Sequence, residues 1–151
     1  MADPGVNRSV LLVVEDDQDD QLLLVDALRA AGQAPTLKFV QDGQELLDYL
    51  RREGEHADPA RSPWPSLILL DLRMPRLDGP AALEAIKADP RLRRVPVVVM
   101  TTSWSERDIA RCYDVGASSF VLKPVTFQKL VEVMGRLCRY WFGTVELPPS
   151  P

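Results

Sequence analysis

Leu67-Ile68-Leu69-Leu70-Asp71 is an apolar run of strand length that stops at a carboxylate. Three other stretches share its form. Ser9-Val10-Leu11-Leu12-Val13-Val14 runs into Glu15-Asp16-Asp17, Pro96-Val97-Val98-Val99-Met100 into Thr101, and Phe120-Val121-Leu122 into Lys123-Pro124. Continuous apolar runs of this length, rich in β-branched residues, read as strands covered on both faces, as in a parallel sheet. If the four are parallel neighbours, their carboxyl ends lie side by side. Acids, a hydroxyl and an ammonium then converge on one spot.

Amphipathic segments separate the strands. Asp19 to Ala31 carries Leu22, Leu23, Val25 and Leu28 at helical spacing and ends at Gly32. Thr36 to Val40 is a short β-type run. Asp42 with Glu45 three residues on is a helix-start signature, followed by Leu46, Leu47, Tyr49 and Leu50. Glu53 to Pro65, with its prolines and Trp64, reads as a long surface loop. Pro80 suits a first helical turn, and Asp89-Pro90 ends that helix. The fourth strand is expected over Val95 to Thr101. Ser105 with Asp108 opens a short helix that Gly116 ends, and Ser119 to Leu122 forms the fifth strand. Thr126 opens a last helix to about Phe142.

The order is (βα)₅. Strands split by helices imply right-handed parallel crossovers with helices on both faces. The five-unit version is the flavodoxin-like doubly wound α/β fold, strand order 2-1-3-4-5. Its ligands sit beyond the strand ends where the order reverses, between strands one and three. Those strands end in Asp16 and Asp71. The chain of 151 residues reads as one domain, with a core of about 9–142 and short tails at 1–8 and 143–151.

A net charge of −4 speaks against nucleic acid as a direct partner. No apolar run is long enough to cross a bilayer, and the N-terminus lacks the apolar stretch of a signal peptide, which points to the cytoplasm. Cys112 and Cys138 are expected as free thiols there. His56, the single histidine, sits in a polar stretch and is expected at the surface.

Glu15, Asp16 and Asp71 brought together would repel one another unless a cation intervened. Carboxylate oxygens, a carbonyl and water suit Mg²⁺. A carboxylate can also attack phosphorus to give an aspartyl phosphate, whose oxygens then need a metal on one side and fixed donors on the other. Lys123 can supply a charge and Thr101 a hydroxyl. Taken singly, each position has an ordinary explanation: the acids as helix-start charges, Asp71 as a strand-end cap. Their joint occurrence at four strand ends does not.

With Glu15-Asp16, Asp71 within Leu70-Asp71-Leu72-Arg73-Met74-Pro75, the Leu77-Asp78-Gly79 turn, Thr101, Gly116-Ala117-Ser118 and Lys123-Pro124, the chain resembles the response-regulator receiver family of two-component signalling. The resemblance spans about Ser9 to Cys138. It implies that Asp71 accepts a phosphoryl group from a histidine kinase in a Mg²⁺-dependent reaction. Asp16 and Asp71 would bind the metal directly, Glu15 through water, and the backbone carbonyl of Arg73 would be a further ligand. Thr101 and Phe120 would form a switch pair, and Lys123 would pair with the phosphoryl oxygens. A narrower likeness, to stand-alone regulators paired with bacterial phytochrome kinases, rests on the proline-rich loop, on Thr101-Thr102-Ser103, and on the ending Tyr140 to Pro148. The Arg73 side chain either touches the phosphoryl group or is solvated, and Trp104 either packs or reads the switch.

Leu130, Val131, Val133, Met134, Leu137 and Cys138 form a stripe on the last helix. Tyr140, Trp141 and Phe142 are consecutive, so they point about 100° apart and cannot all face one core. Either the tail folds back over them or an aromatic stays exposed at an interface. A homodimer through the last helix and tail follows from the second case. With no effector segment after that helix, output is a protein contact made or lost, with an unidentified downstream protein, or onward phosphorelay. Rival readings are a small hydrolase with nucleophilic Asp71 and a flavodoxin-like binding module. The first lacks an acid two residues after Asp71, and the second lacks a Ser/Thr-Gly-rich phosphate loop after strand one.

Overall fold

A computed structural model of the protein describes residues 9–74, 76–102 and 104–151. Pro75, Ser103 and the amino-terminal stretch Met1 to Arg8, all named above, lie outside the described residues. Those residues form a parallel sheet of β1 (Val10–Val14), β2 (Thr36–Val40), β3 (Leu67–Leu70), β4 (Val97–Thr101) and β5 (Ser119–Leu122), in the order β2-β1-β3-β4-β5. Five α-helices alternate with the strands: α1 (Gln18–Ala30), α2 (Gly43–Arg51), α3 (Gly79–Ala88), α4 (Glu106–Val115) and α5 (Phe127–Gly143). The fold is the doubly wound flavodoxin-like one.

Two hydrophobic layers sandwich the sheet, and strand alternation assigns residues to them. Leu12, Val14, Ile68, Leu70, Val97 and Val99 point into the layer completed by α2, α3 and α4. Leu11, Val13, Leu67, Leu69, Val98 and Met100 point to the other face, where Leu24 and Leu28 of α1 meet Met134 and Cys138 of α5. The free thiols of Cys112 and Cys138 are both buried, and burial pushes the Cys138 thiol up to about 11.

The fourth strand starts at Val97, two residues later than expected. Pro96 has no N–H for a ladder; its carbonyl nevertheless accepts the Ile68 N–H at 3.0 Å. Val95 belongs to the preceding turn, where the half-buried Lys87 ammonium binds the carbonyls of Arg93 and Val95 at 2.9 and 2.8 Å. In α1, Asp17 is the N-cap, its carboxylate accepting from the Asp19 and Asp20 N–H groups.

His56 is not a free surface residue. It sits in a short 3₁₀ turn, Gly54–His56, with Nδ1 2.8 Å from Ser62 Oγ and Nε2 3.0 Å from Glu45 Oε2. Tyr49 donates its hydroxyl to the Pro63 carbonyl at 2.6 Å, and Ser62 is buried. The long connection before β3 is therefore clamped to α2. These partners are separated in sequence and invisible to periodicity.

Gly43, at the start of α2, packs against the loop after β3 so closely that a Cβ there would stand 2.2 Å from the Leu77 carbonyl oxygen. Gly43→Ala is expected to destabilise the protein by about 1–3 kcal/mol through overpacking, measured as a lowered midpoint of urea unfolding with unchanged slope.

Candidate functional site

Parallel register brings the polar strand ends together. Val14 pairs with Leu70, so Glu15 and Asp71 follow at adjacent strand ends. Leu70 pairs with Val99, and Thr101 with Leu122, after which the Lys123 N–H donates to the Thr101 carbonyl at 2.9 Å. Lys123 Nζ reaches back to Glu15 Oε1 at 3.2 Å, although β3 and β4 separate their strands. The pair closes one side of a cavity of about 360 Å³ that Glu15, Asp20, Asp71, Thr102 and Lys123 line with apolar residues of α1 and α5.

Burial pulls the Lys123 ammonium toward its neutral form. The charge and hydrogen bond of Glu15, with Asp20 and Asp71 behind them, outweigh that effect, so its proton is held above the ordinary lysine range. Glu15 is fixed on both sides: its other oxygen accepts the Asp17 N–H at 3.1 Å, and its carbonyl accepts from Gln21 Nε2 at 2.7 Å. Asp71 Oδ1 accepts the Arg73 N–H at 3.0 Å, which aims the carboxylate. Gly79 presses on the same turn. Its N–H binds the Leu72 carbonyl at 3.1 Å, and a Cβ on it would stand 2.6 Å from the Asp71 carbonyl oxygen.

The remaining expected residues divide. Thr101 is fully buried, while its neighbour Thr102 lines the cavity. Phe120 is half-buried against the layer of α2, α3 and α4, and its N–H donates to the Tyr113 hydroxyl of α4 at 3.2 Å. Arg73 is exposed. Asp16 is exposed and absent from the cavity lining, where Asp20 stands instead. Among the described residues no three acidic, histidine or cysteine side chains are gathered as a metal-binding group. Glu15 is engaged by Lys123, and Asp71 accepts the Arg73 N–H. The donors nevertheless suit a hard divalent cation in kind, because three carboxylates share the cavity with one ammonium.

Position-by-position reading missed one further element. Arg76, in the left-handed region at φ 65°, donates from Nε to Asp42 Oδ2 at 2.7 Å and from Nη2 to Asp42 Oδ1 at 2.9 Å. Asp42 is buried and also caps α2 through the Glu45 N–H at 2.8 Å. The sequence showed the cap; the arginine partner, from a different loop, left no local signal.

Residues 11–134 match the family of the response regulator receiver domain. The chain belongs to that family. Response regulator Rcp1 of Synechocystis sp. is 34% identical over 150 residues, which cover 99% of this chain and 100% of Rcp1. A response regulator in red light signaling of R. palustris superposes with a TM-score of 0.89 at 34% identity, covering 94% of this chain and 99% of that one. The phosphorylated cyanobacterial phytochrome response regulator RcpA superposes with a TM-score of 0.85 at 37% identity, with the same coverage. This receiver is thus a phosphorylation-controlled signalling switch, a phosphoacceptor rather than a typical enzyme. Among the described residues no helix is long and apolar enough to cross a membrane.

The Arg76 guanidinium beside Asp42 holds its carboxyl below the ordinary value of 3.8, with burial opposing. A lowered folded-state value stabilises the fold above the unfolded value and loses that contribution as pH falls through the folded one. The stability gap between wild type and Asp42→Asn is therefore expected to stay constant down to about pH 4 and to close below it, as read from urea unfolding at stepped pH. Asp42→Ala, which also removes the cap, is expected to cost about 1–2 kcal/mol from the cap alone.

Proposed function

We propose that Asp71 is the phosphoacceptor and that Lys123, Thr101 and Phe120 convert its phosphorylation into a changed surface. The observation that carries this reading is the Lys123–Glu15 ion pair, which closes a cavity that Asp71 also lines. A carboxylate oxygen of Asp71 attacks the phosphorus of a kinase phosphohistidine. The P–N bond breaks, its electron pair stays on the imidazole, and a P–O bond forms. Lys123 is near enough to pair with the phosphoryl oxygens. The Lys123 N–H already holds the Thr101 carbonyl, so movement at Thr101 is transmitted to the β5–α5 loop. Phe120 sits on the adjoining strand and is tied to α4 through Tyr113, which gives the switch a route to that helix.

Mg²⁺ bound at Glu15, Asp16, Asp71 and the Arg73 carbonyl would supply the positive charge that the carboxylates and the incoming phosphoryl group need. Receiver domains hold Mg²⁺ or Mn²⁺ at the phosphorylation site, and a solved structure of Rcp1 is the Mn²⁺-bound form. The kinase partner is a sensor histidine kinase, and likeness to bacteriophytochrome response regulators supports one of phytochrome type. Exposed Leu23 of α1, Val125 of the β5–α5 loop and Phe127 of α5 rim the cavity, an apolar surface of the kind a kinase helix would cover. Slow self-dephosphorylation by water is part of this reading, as is work in the cytoplasm. The 151 residues act as one receiver unit whose output is a contact with a downstream protein or relay of the phosphoryl group.

A homodimer through α5 and the tail narrows to one aromatic. Trp141 and Phe142 are half-buried against the layer of α1 and α5, whereas Tyr140 is 52% exposed and meets Trp141 edge-on. The tail also folds back: the Val145 N–H binds the Tyr140 carbonyl, and Pro148, Pro149 and Pro151 share a groove with Trp64 and Arg94.

Incubation with Mg²⁺ and acetyl phosphate is expected to add one phosphoryl mass to the wild type and none to Asp71→Asn, by intact-mass spectrometry. An equal adduct on both, or sustained turnover of diverse phosphoesters, would overturn the reading. Tyr140→Glu is expected to raise the dimer dissociation constant at least about tenfold, as an interface tyrosine worth about 2 kcal/mol requires. Sedimentation unchanged from wild type would reject that interface.

A further inference from the structure

Lys123 has a second carboxylate neighbour outside the strand-end pattern. Its Nζ stands 3.6 Å from Asp20 Oδ2, beyond the 3.2 Å contact with Glu15. Asp20 belongs to the first turn of α1, and its N–H is bound by Asp17 Oδ1 at 3.1 Å, so its backbone is held. An acid there favours the helix dipole wherever its side chain points. That general effect explains an acid at this position, but not its approach to a lysine of the β5–α5 segment. Asp20 also lines the cavity that Asp71 lines. The ammonium is thus held toward α1 by two carboxylates while the phosphoacceptor waits nearby.

We propose that Asp20 is a positioning residue that keeps Lys123 on the α1 side of the cavity until a phosphoryl group on Asp71 draws the ammonium away. This rests on the reading of Asp71 as phosphoacceptor. A phosphoryl group carries about −1.5 to −2 charge, more than either carboxylate, and of the two Asp20 is the weaker hold, farther away, 42% exposed and screened by water. The hold is therefore a brake, not a lock. With acetyl phosphate, the bond from phosphorus to the acetyl oxygen breaks, its electron pair leaves on acetate, and an Asp71 oxygen forms the new P–O bond. Lys123 must turn toward the phosphoryl oxygens as this happens, and Asp20 is left unpaired at the cavity mouth. Phosphorylation then changes the charge of the groove between α1 and α5.

The test compares Asp20→Asn with Asp19→Asn, which makes the same charge change in the same helical turn. Asp20→Asn is expected to raise the maximal rate of phosphoryl uptake from acetyl phosphate about threefold, the scale of one exposed ion pair. The half-saturating donor concentration is expected to shift equally, if at all, in both variants. Asp20→Glu is expected to restore the wild-type rate. An Asp20→Asn rate equal to that of Asp19→Asn, or slower, overturns the proposal. A second readout needs neither metal nor donor: the NMR signal of the Lys123 ε-methylene is expected to move in Asp20→Asn and to stay in Asp19→Asn. If the wild type takes no phosphoryl group, the reading of Asp71 fails, and an unmoved ε-methylene signal would separately refute the hold by Asp20.

Discussion

Carboxylates brought to one end of a parallel sheet repel one another, and the fold must answer that repulsion. Here the answer is a lysine from the edge strand. Glu15 and Asp71 are adjacent because β1 and β3 pair in register, and no side-chain preference could separate them without shifting the whole apolar ladder. Lys123 crosses to Glu15 and brings a charge that the acids hold protonated. The same attraction that stabilises the resting site makes it responsive. Any new anion at Asp71 competes for the ammonium, and any divalent cation competes with the ammonium for the carboxylates.

Around this charged point the structure is stiff in layers and adjustable in loops. The strands are covered on both faces by aliphatic side chains and have little room to move. The loop after β3 is pinned by glycines without room for a Cβ: Gly79 lies on the Asp71 carbonyl, and Gly43 on that of Leu77. Arg76 adds a bidentate tie to Asp42 at the head of α2. Asp71 is thereby held still. By contrast, Thr102 and Trp104 after β4 are exposed, and Phe120 is only half-buried. A rigid carboxylate beside a loosely packed segment is the kind of arrangement a two-state switch uses.

The parts legible in the sequence were those governed by local rules. Continuous apolar runs marked β1, β3 and β4 because both faces of these strands are buried, and Asp42, Ser105 and Thr126 marked helix starts through caps that act within three residues. The joint strand-end pattern pointed to Asp71 and Lys123, which line one cavity, and to Thr101, which is buried outside its lining. What escaped depended on partners far apart in the chain. Arg76 gives no sign that it will seek Asp42, and His56 in a polar stretch reads as solvated until Glu45 and Ser62 close on it. Asp20 gave no sign of its approach to Lys123. Pro96 misled the strand boundary because its apolar character continues the run while its missing N–H ends the ladder.

The acids also explain why Asp16 and Asp20 exchange places relative to expectation. The cation nearest the carboxylates of the cavity is Lys123, and Glu15 and Asp20 arrange around it. Glu15 and Asp20 face the ammonium, and Asp16 faces water. Side-chain placement at the mouth of the site therefore follows the ammonium. The ends of β1 and β3 are adjacent through register alone, so which acid meets the ammonium is left to side-chain rotamers.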